Sequence, residues 1–243
     1  MAYINSNQIL NTMVLISGYE DGYKQGKNDF VNALSNNGKV FYRFFYGKNN
    51  LTSFPMVDTS NGLDFTDMFG DCTQLTSVPE IDTSNGKNFC NMFRKCTALK
   101  TIPTLNTANG SNLSAMFSGC TSLTSVPKLN MKNCENMAYL FFECKSLKDV
   151  EIEFEILKHY NITHAFYRCE NLENITFKKI HLGGLDLSYS PKLTIDSLAS
   201  LINALANVTE WNGTYSVNLG EINLAKLTNE QKAVATAKGW TLL

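Results

Sequence analysis

The sequence predicts a single α/β solenoid, and three observations carry that expectation. Leu51, Leu75, Leu99, Leu123 and Leu147 stand 24 residues apart, with Leu172 following at 25 and Leu193 at 21. Cys72, Cys96, Cys120, Cys144 and Cys169 keep nearly the same step. Two whole units, LTSVPEIDTSNGKNFCNMFRKCTA from Leu75 and LKTIPTLNTANGSNLSAMFSGCTS from Leu99, agree at column after column, including the proline and the Asn-Gly pair. A fixed period of this length marks a stack of like units, each too small to bury its apolar face alone.

Taken in chain order, residues 1–36 lack the motif and read as an N-terminal cap, with a polar helix across Glu20 to Leu34. Residues 37–192 read as the repeats, beginning at Asn37-Gly38, with Phe41, Phe44 and Phe45 matching Phe65, Met68 and Phe69. The first part of each unit, such as Leu75, Val78 and Ile81, suits a short strand. It should stop near Pro55, Pro79, Pro103 or Pro127, because proline has no amide for a ladder. A turn follows at Asn61-Gly62, Asn85-Gly86 and Asn109-Gly110, where glycine is expected to supply a positive φ.

The second half of each unit reads as a short helix, since Phe89, Met92, Phe93 and Cys96 stand at i, i+3, i+4 and i+7. The set recurs as Leu113, Met116, Phe117 and Cys120, and as Met137, Leu140, Phe141 and Cys144. Asp64, Asn88, Asn112, Asn136 and Asn161 are the expected N-caps. The architecture expected is a right-handed leucine-rich repeat superhelix of about six 24-residue strand-turn-short-helix units, roughly 25 to 30 Å long at ordinary strand spacing.

After Leu193 the pattern changes. DSLASLINALAN is an amphipathic helix from about Asp196, and GTYSVNLG alternates like a strand. In LTNEQKAVATAKGWTLL, Thr228 and Asn229 are helix-capping residues and Gly239 is a stop signal. Residues 193–243 therefore read as a C-terminal cap. With no linker rich in Gly, Ser or Pro, residues 1–243 read as one leucine-rich repeat domain.

The run DTSNGKNFCNMFRKCTAL resembles the BspA-like leucine-rich repeat family, whose members carry DTSN-x-x-N-x-x-x-MF-x-x-C-x-x-L. The resemblance covers residues 51 to about 175, and the tail LAKLTNEQKAVATAKGWTL is similar to the ending of such proteins in gut bacteria and their phages. It implies a bacterial surface protein of the adhesion type and no particular ligand. The alternative it leaves open is a structural or host-recognition component of a phage tail or cell-surface assembly.

Composition narrows the function. A net charge of -1 lacks the basic footprint of a nucleic-acid binder or polybasic membrane anchor. The start has no basic region, and its apolar run Met13 to Ile16 is too short for a signal or a span, so no membrane insertion is expected. Localisation stays open between a cytoplasmic or phage-associated protein, as the chain reads, and the cell surface or secretion that the resemblance implies. The cysteine ladder reads as buried free thiols, with Cys90 and Cys134 incidental. His159 and His164 with Cys144 and Cys169 do not form a zinc-ligand spacing, and His181 stands alone as a structural or surface residue. Glu151, Glu153 and Glu155 alternate as a strand's solvent face would. No nucleophile elbow, phosphate loop, HExxH or dinucleotide fingerprint occurs, so no catalytic residue, cofactor or metal is expected and the chain reads as a non-enzyme.

Two exposed columns are candidates for binding a protein or a carbohydrate. On the strand side, Thr52, Ser53, Thr76, Ser77, Thr124 and Ser125 make a hydroxyl-rich face interrupted by Lys100, Lys148 and Asp149. Solvent-facing threonines are also ordinary on a β surface. On the helix side, the column after the core phenylalanine reads Tyr46, Gly70, Arg94, Ser118, Phe142 and Tyr167, with Tyr139 close to Phe142. Exposed aromatics are enriched at interfaces, although packing against a cap or loop is the more ordinary reason for them. Homo-oligomerisation is left open.

Overall fold

Residues 24 or 25 apart in the sequence lie side by side in space. Parallel bridges join Val40 to Asp64, Asp64 to Asn88, Asn88 to Asn112, Asn112 to Asn136 and Asn136 to Asn161. The computed structural model describes residues 39–52, 57–153, 161–181 and 183–243. The expected N-terminal cap, Asn37-Gly38, Ser53, Pro55, Glu155 and His159 lie outside these residues.

The segment expected to be a short helix is a chain of turns. Met92 N–H donates to Phe89 O, Arg94 N–H to Asn91 O and Cys96 N–H to Phe93 O, each three residues back. The alternate amides point along the stack instead: Phe89 to Asn112 O at 2.8 Å, Asn91 to Ser114 O at 2.9 Å, Phe93 to Met116 O at 2.9 Å and Lys95 to Ser118 O at 2.7 Å. A helix would close all its amides on itself. Here half of them join one coil to the next.

That alternation requires a left-handed residue at every fourth position. Asn91 and Lys95 have φ of 57° and 58°, and the equivalents Asp67, Asp71, Ala115, Tyr139, Glu143, His164 and Arg168 lie between 52° and 60°. Such residues cost about 1 kcal/mol or more each when unsupported, and each inter-coil hydrogen bond offsets part of that cost. The Asn column is likewise not a set of helix caps. Asn88, Asn112, Asn136 and Asn161 accept through Oδ1 from the amides of Cys90, Ser114, Ala138 and Thr163, two residues on, which starts the turns.

The glycines of the Asn-Gly pairs serve space rather than dihedral freedom. Gly62, Gly86 and Gly110 do not have left-handed φ. A Cβ on Gly86 would overlap Phe89 Cζ and stand 3.0 Å from Thr83 O, and one on Gly62 would overlap Phe65 Cζ. The expected strand before each proline is absent over residues 75–83. Regular pairing appears only later, where β1 (Leu129–Asn130), β2 (Asp149–Glu153) and β3 (Asn174–Phe177) form a parallel sheet in that order. On β2, Val150 and Ile152 face the core while Glu151 is exposed.

Two stacked aromatic columns run through the core. Phe45, Phe69, Phe93, Phe117, Phe141 and Phe166 follow one another at centroid separations of 5.3 to 5.7 Å. Phe41, Phe65 and Phe89 make a second column at 5.5 Å, continued by buried Leu113, Met137 and Ile162. Full burial of such a side chain contributes about 1.5–3 kcal/mol.

Beyond the repeats, a second parallel sheet is ordered β4 (Leu185–Asp186), β5 (Tyr215–Asn218) and β6 (Trp240–Leu242). Helix α1 (Ile195–Ala204) begins at Thr194, whose side chain accepts from Ser197 N. Ser197 joins α1 to β3, its Oγ accepting from Ile175 N at 2.9 Å and donating to Ile175 O at 3.2 Å. After α2 (Gly220–Leu224), helix α3 (Asn229–Ala237) is closed at its start by a capping box between Thr228 and Gln231 and followed by Gly239 at φ 86°.

Candidate functional site

The strand-side column is present as a continuous edge of the stack. Thr76 N–H donates to Thr52 O, Lys100 to Thr76 O, Thr124 to Lys100 O and Lys148 to Thr124 O, over 2.9 to 3.4 Å. Thr52, Thr76, Ser77, Lys100, Thr124, Ser125 and Lys148 are all exposed, and Ser53 lies outside the described residues. Two of its threonine hydroxyls are engaged within the stack: Thr76 Oγ1 donates to Thr52 O at 3.3 Å and Thr124 Oγ1 to Lys100 O at 3.4 Å. The lysine ammoniums pair along the same axis, Lys148 with Glu173 at 3.7 Å and Lys128 with Glu151 at 3.0 Å. On this face the Thr76 and Thr124 hydroxyls and the Lys148 ammonium are directed at neighbouring coils.

The turn-side column gives a different surface. Tyr139 takes a left-handed φ of 59°, which turns its side chain outward to 42% exposure. Its ring meets Phe142 edge-on at 5.6 Å, and Phe142 stacks on Tyr167 at 5.1 Å with 12° between the planes. Tyr167 in turn lies 4.3 Å from Tyr189, which is 44% exposed. The neighbouring Tyr167 side chain holds the Tyr189 phenol above its ordinary pKa. His164, also left-handed, fills the corner at 5.5 Å from Tyr139 and 5.3 Å from Tyr167.

A charged rim borders these rings. Arg168 Nη1 donates to Glu143 Oε1 at 2.9 Å, and its guanidinium carbon lies 5.6 Å from the centre of the Tyr167 ring. Tyr139, Phe142 and Tyr167 are thus brought together as the sequence suggested. His164, Arg168 and Tyr189 were not read as members. The repeat itself held the signal for the first two, because His164 stands one unit after Tyr139 and Arg168 one unit after Glu143, each 25 residues on. Tyr189 follows Tyr167 by only 22 residues and so falls outside the column count.

The same column changes character along the stack. Towards its start, the Arg43 guanidinium lies 4.3 Å from the Tyr46 ring and 3.7 Å from Asp67, while Asp71 pairs with Arg94 at 3.5 Å and Lys95 at 3.8 Å. A hydrogen bond to the Asp71 carboxylate raises the Tyr46 phenol pKa, and burial raises that of Asp67 against the opposing pull of Arg43. Between the charged and aromatic ends stand the small residues Ala115, Ser118 and Gly119.

A separate aromatic group lies beyond the repeats. His181 stacks on Trp211 at 5.5 Å, Trp211 meets Tyr215 at 5.8 Å and Tyr215 meets Trp240 at 5.6 Å. Burial, assisted by Lys179, lowers the His181 pKa, which favours a neutral ring on the indole.

The ladder thiols are turned into the core. Cys144 Sγ donates to Phe117 O and Cys169 Sγ to Phe141 O, the same inward contact that each ladder cysteine makes. Burial pushes the Cys72 and Cys120 thiols up to about 12, where no thiolate forms at neutral pH. Among the described residues, no group of three or more His, Cys, Asp or Glu converges as metal ligands, and no helix is long and apolar enough to cross a membrane.

No curated protein matches the chain. Its repeat region, residues 63–178, matches a family described as a Mycoplasma protein of unknown function, DUF285.

Proposed function

We propose that this protein is a non-enzymatic binding module, a right-handed leucine-rich repeat solenoid of the BspA-like kind that recognises a protein or glycan partner through its turn-side surface. One observation carries the reading: Tyr139, Phe142, Tyr167 and Tyr189 form a continuous row of rings, exposed at both ends, beside the Arg168–Glu143 pair. Rigid aromatic side chains bordered by an arginine are the composition from which interface hot spots are drawn. The strand-side face supports the reading less well, since its Thr76 and Thr124 hydroxyls already hydrogen-bond between coils.

The test is binding of the whole chain to arrays of host matrix proteins and of glycans, repeated with Tyr139→Ser/Tyr167→Ser and with Thr76→Glu/Thr124→Glu. Saturable binding that the first variant weakens at least about tenfold, a loss near 1.4 kcal/mol, and the second leaves intact supports recognition at the aromatic row. Loss only in the threonine variant returns the site to the strand face. A concentration-dependent oligomer dispersed by Phe142→Ser, with no binding on either array, replaces recognition by assembly.

A further inference from the structure

An Asn-Gly pair is chemically the weakest dipeptide in a chain, because the glycine amide nitrogen can attack the asparagine side chain with no β-carbon in the way. At Asn85-Gly86 and Asn109-Gly110 that attack is blocked on both sides. Gly86 and Gly110 N–H donate to Thr83 O and Thr107 O at 2.9 Å, which fixes both nitrogens. Asn85 and Asn109 Nδ2 donate to Ser60 O and Ser84 O at 2.8 Å, which turns their amide groups along the stack. Gly62 N–H is held in the same way by Thr59 O at 2.7 Å.

Asn212-Gly213 has none of these restraints. It lies in the segment Thr209 to Thr214, every residue of which is exposed. Among the described residues, no hydrogen bond engages the Asn212 side chain or the Gly213 amide. Gly213 has φ of 132°, and a Cβ there would approach nothing closer than the Tyr215 ring at 3.7 Å. The neighbouring Trp211 N–H is tied to Val208 O at 3.0 Å, so the loop is anchored just before the reactive pair and open after it.

We propose that Asn212 is a site of spontaneous modification, converting to aspartate and isoaspartate in the folded protein while Asn85 and Asn109 are protected. The Gly213 nitrogen loses its proton to solvent base and bonds to Asn212 Cγ. The Cγ–Nδ2 bond breaks, and ammonia leaves with a proton returned from water. Water then opens the cyclic imide at either of its two carbonyls, leaving an aspartyl or an isoaspartyl linkage. The net change is one water consumed, one ammonia released and one negative charge gained beside Trp211, whose ring stacks on His181. The isoaspartyl product also lengthens the backbone by one carbon within this loop.

The experiment ages the native full chain at mildly alkaline pH and maps its peptides by mass, scoring the change from NH2 to OH and labelling isoaspartate with an isoaspartyl methyltransferase. A parallel sample is aged in denaturant. In the native chain the Asn212 peptide should convert at least about tenfold faster than the Asn85 and Asn109 peptides, whose conversion requires local opening. In denaturant the three should convert at comparable rates. Gly213→Ala should slow conversion at Asn212 in both samples. Native conversion of Asn85 or Asn109 at the Asn212 rate overturns the proposal. So does a native Asn212 that stays intact over the time in which the denatured chain converts.

Discussion

The Cys96 thiol donates a hydrogen bond to the carbonyl oxygen of Phe69, 27 residues earlier and one coil away, across 3.0 Å. Cys72, Cys120, Cys144 and Cys169 repeat this contact with Phe45, Phe93, Phe117 and Phe141. The ladder thus needs a small, apolar side chain that can still donate one hydrogen bond. Cysteine meets all three requirements.

Cys96→Ala removes that donor and leaves a small void in a site with no solvent exposure. The expected loss is about 1–3 kcal/mol, measured as a lower urea midpoint at unchanged slope. Cys90 is only partly buried and accepts from Ser114 Oγ, so Cys90→Ala should cost less. Equal costs at the two positions would show that full burial of the thiol and its donation to a carbonyl are not what the ladder gains from cysteine.

The same burial fixes a pH dependence. The Cys72, Cys120 and Cys134 thiols rise from 9.0 to about 12 on folding. Between those values the unfolded chain has lost protons that the native chain retains, so stability falls as pH rises. The stabilisation is fully present below about pH 9 and is lost towards pH 12. Urea midpoints at about pH 8 and about pH 10.5 should show the decline, and Cys120→Ala should flatten it. An unchanged slope in the variant would assign the decline to other groups.

How far the sequence reveals this fold depends on which physical feature repeats. The core columns of Leu, Phe and Cys were legible because stacking forces like residues to recur at one step. Phe89, Met92, Phe93 and Cys96 misled as to local conformation, since alternating turns bury the same i, i+3, i+4 and i+7 positions that a helix does. The distinguishing property is the left-handed φ at Asn91 and Lys95. Its sequence signal is faint, because only Gly119 and Gly47 mark that column with glycine. Thr228 was legible as the cap of its helix, whereas Gln231, which completes the capping box three residues on, was not singled out. The aromatic row was half legible: Tyr139, Phe142 and Tyr167 follow the period, whereas Tyr189 joins them only through the shorter path into the following sheet.

Gly86→Ala tests the claim that this glycine is selected for space. The added Cβ would overlap the Phe89 ring and press against Thr83 O at 3.0 Å. Because Phe89 is itself stacked on Phe65 at 5.5 Å, it cannot yield freely. Overpacking of this kind costs about 1–3 kcal/mol. Gly184, at φ 85° with open space around its Cβ position, should lose only about 1 kcal/mol as alanine, from backbone strain. Thermal unfolding of both variants decides the matter, and a smaller loss at Gly86 would refute the close-approach account.

Thr59, Thr83 and Thr107 occupy one buried column but do not have the same partners. Thr107 Oγ1 donates to Asn130 O at 2.8 Å and Thr83 Oγ1 to Asn106 O at 3.1 Å. Among the described residues, buried Thr59 Oγ1 has no hydrogen-bond partner. Valine has nearly the shape of threonine, so the substitution isolates the hydroxyl. Thr107→Val should destabilise by about 1 kcal/mol or more, because it leaves the Asn130 carbonyl short of a donor. Thr59→Val exchanges an unsatisfied buried hydroxyl for a methyl and should be neutral or stabilising by up to about 1 kcal/mol. Chemical denaturation of the two variants gives opposite shifts on this account. A destabilised Thr59→Val would mean that its hydroxyl is bound in solution, and the column would then be uniform.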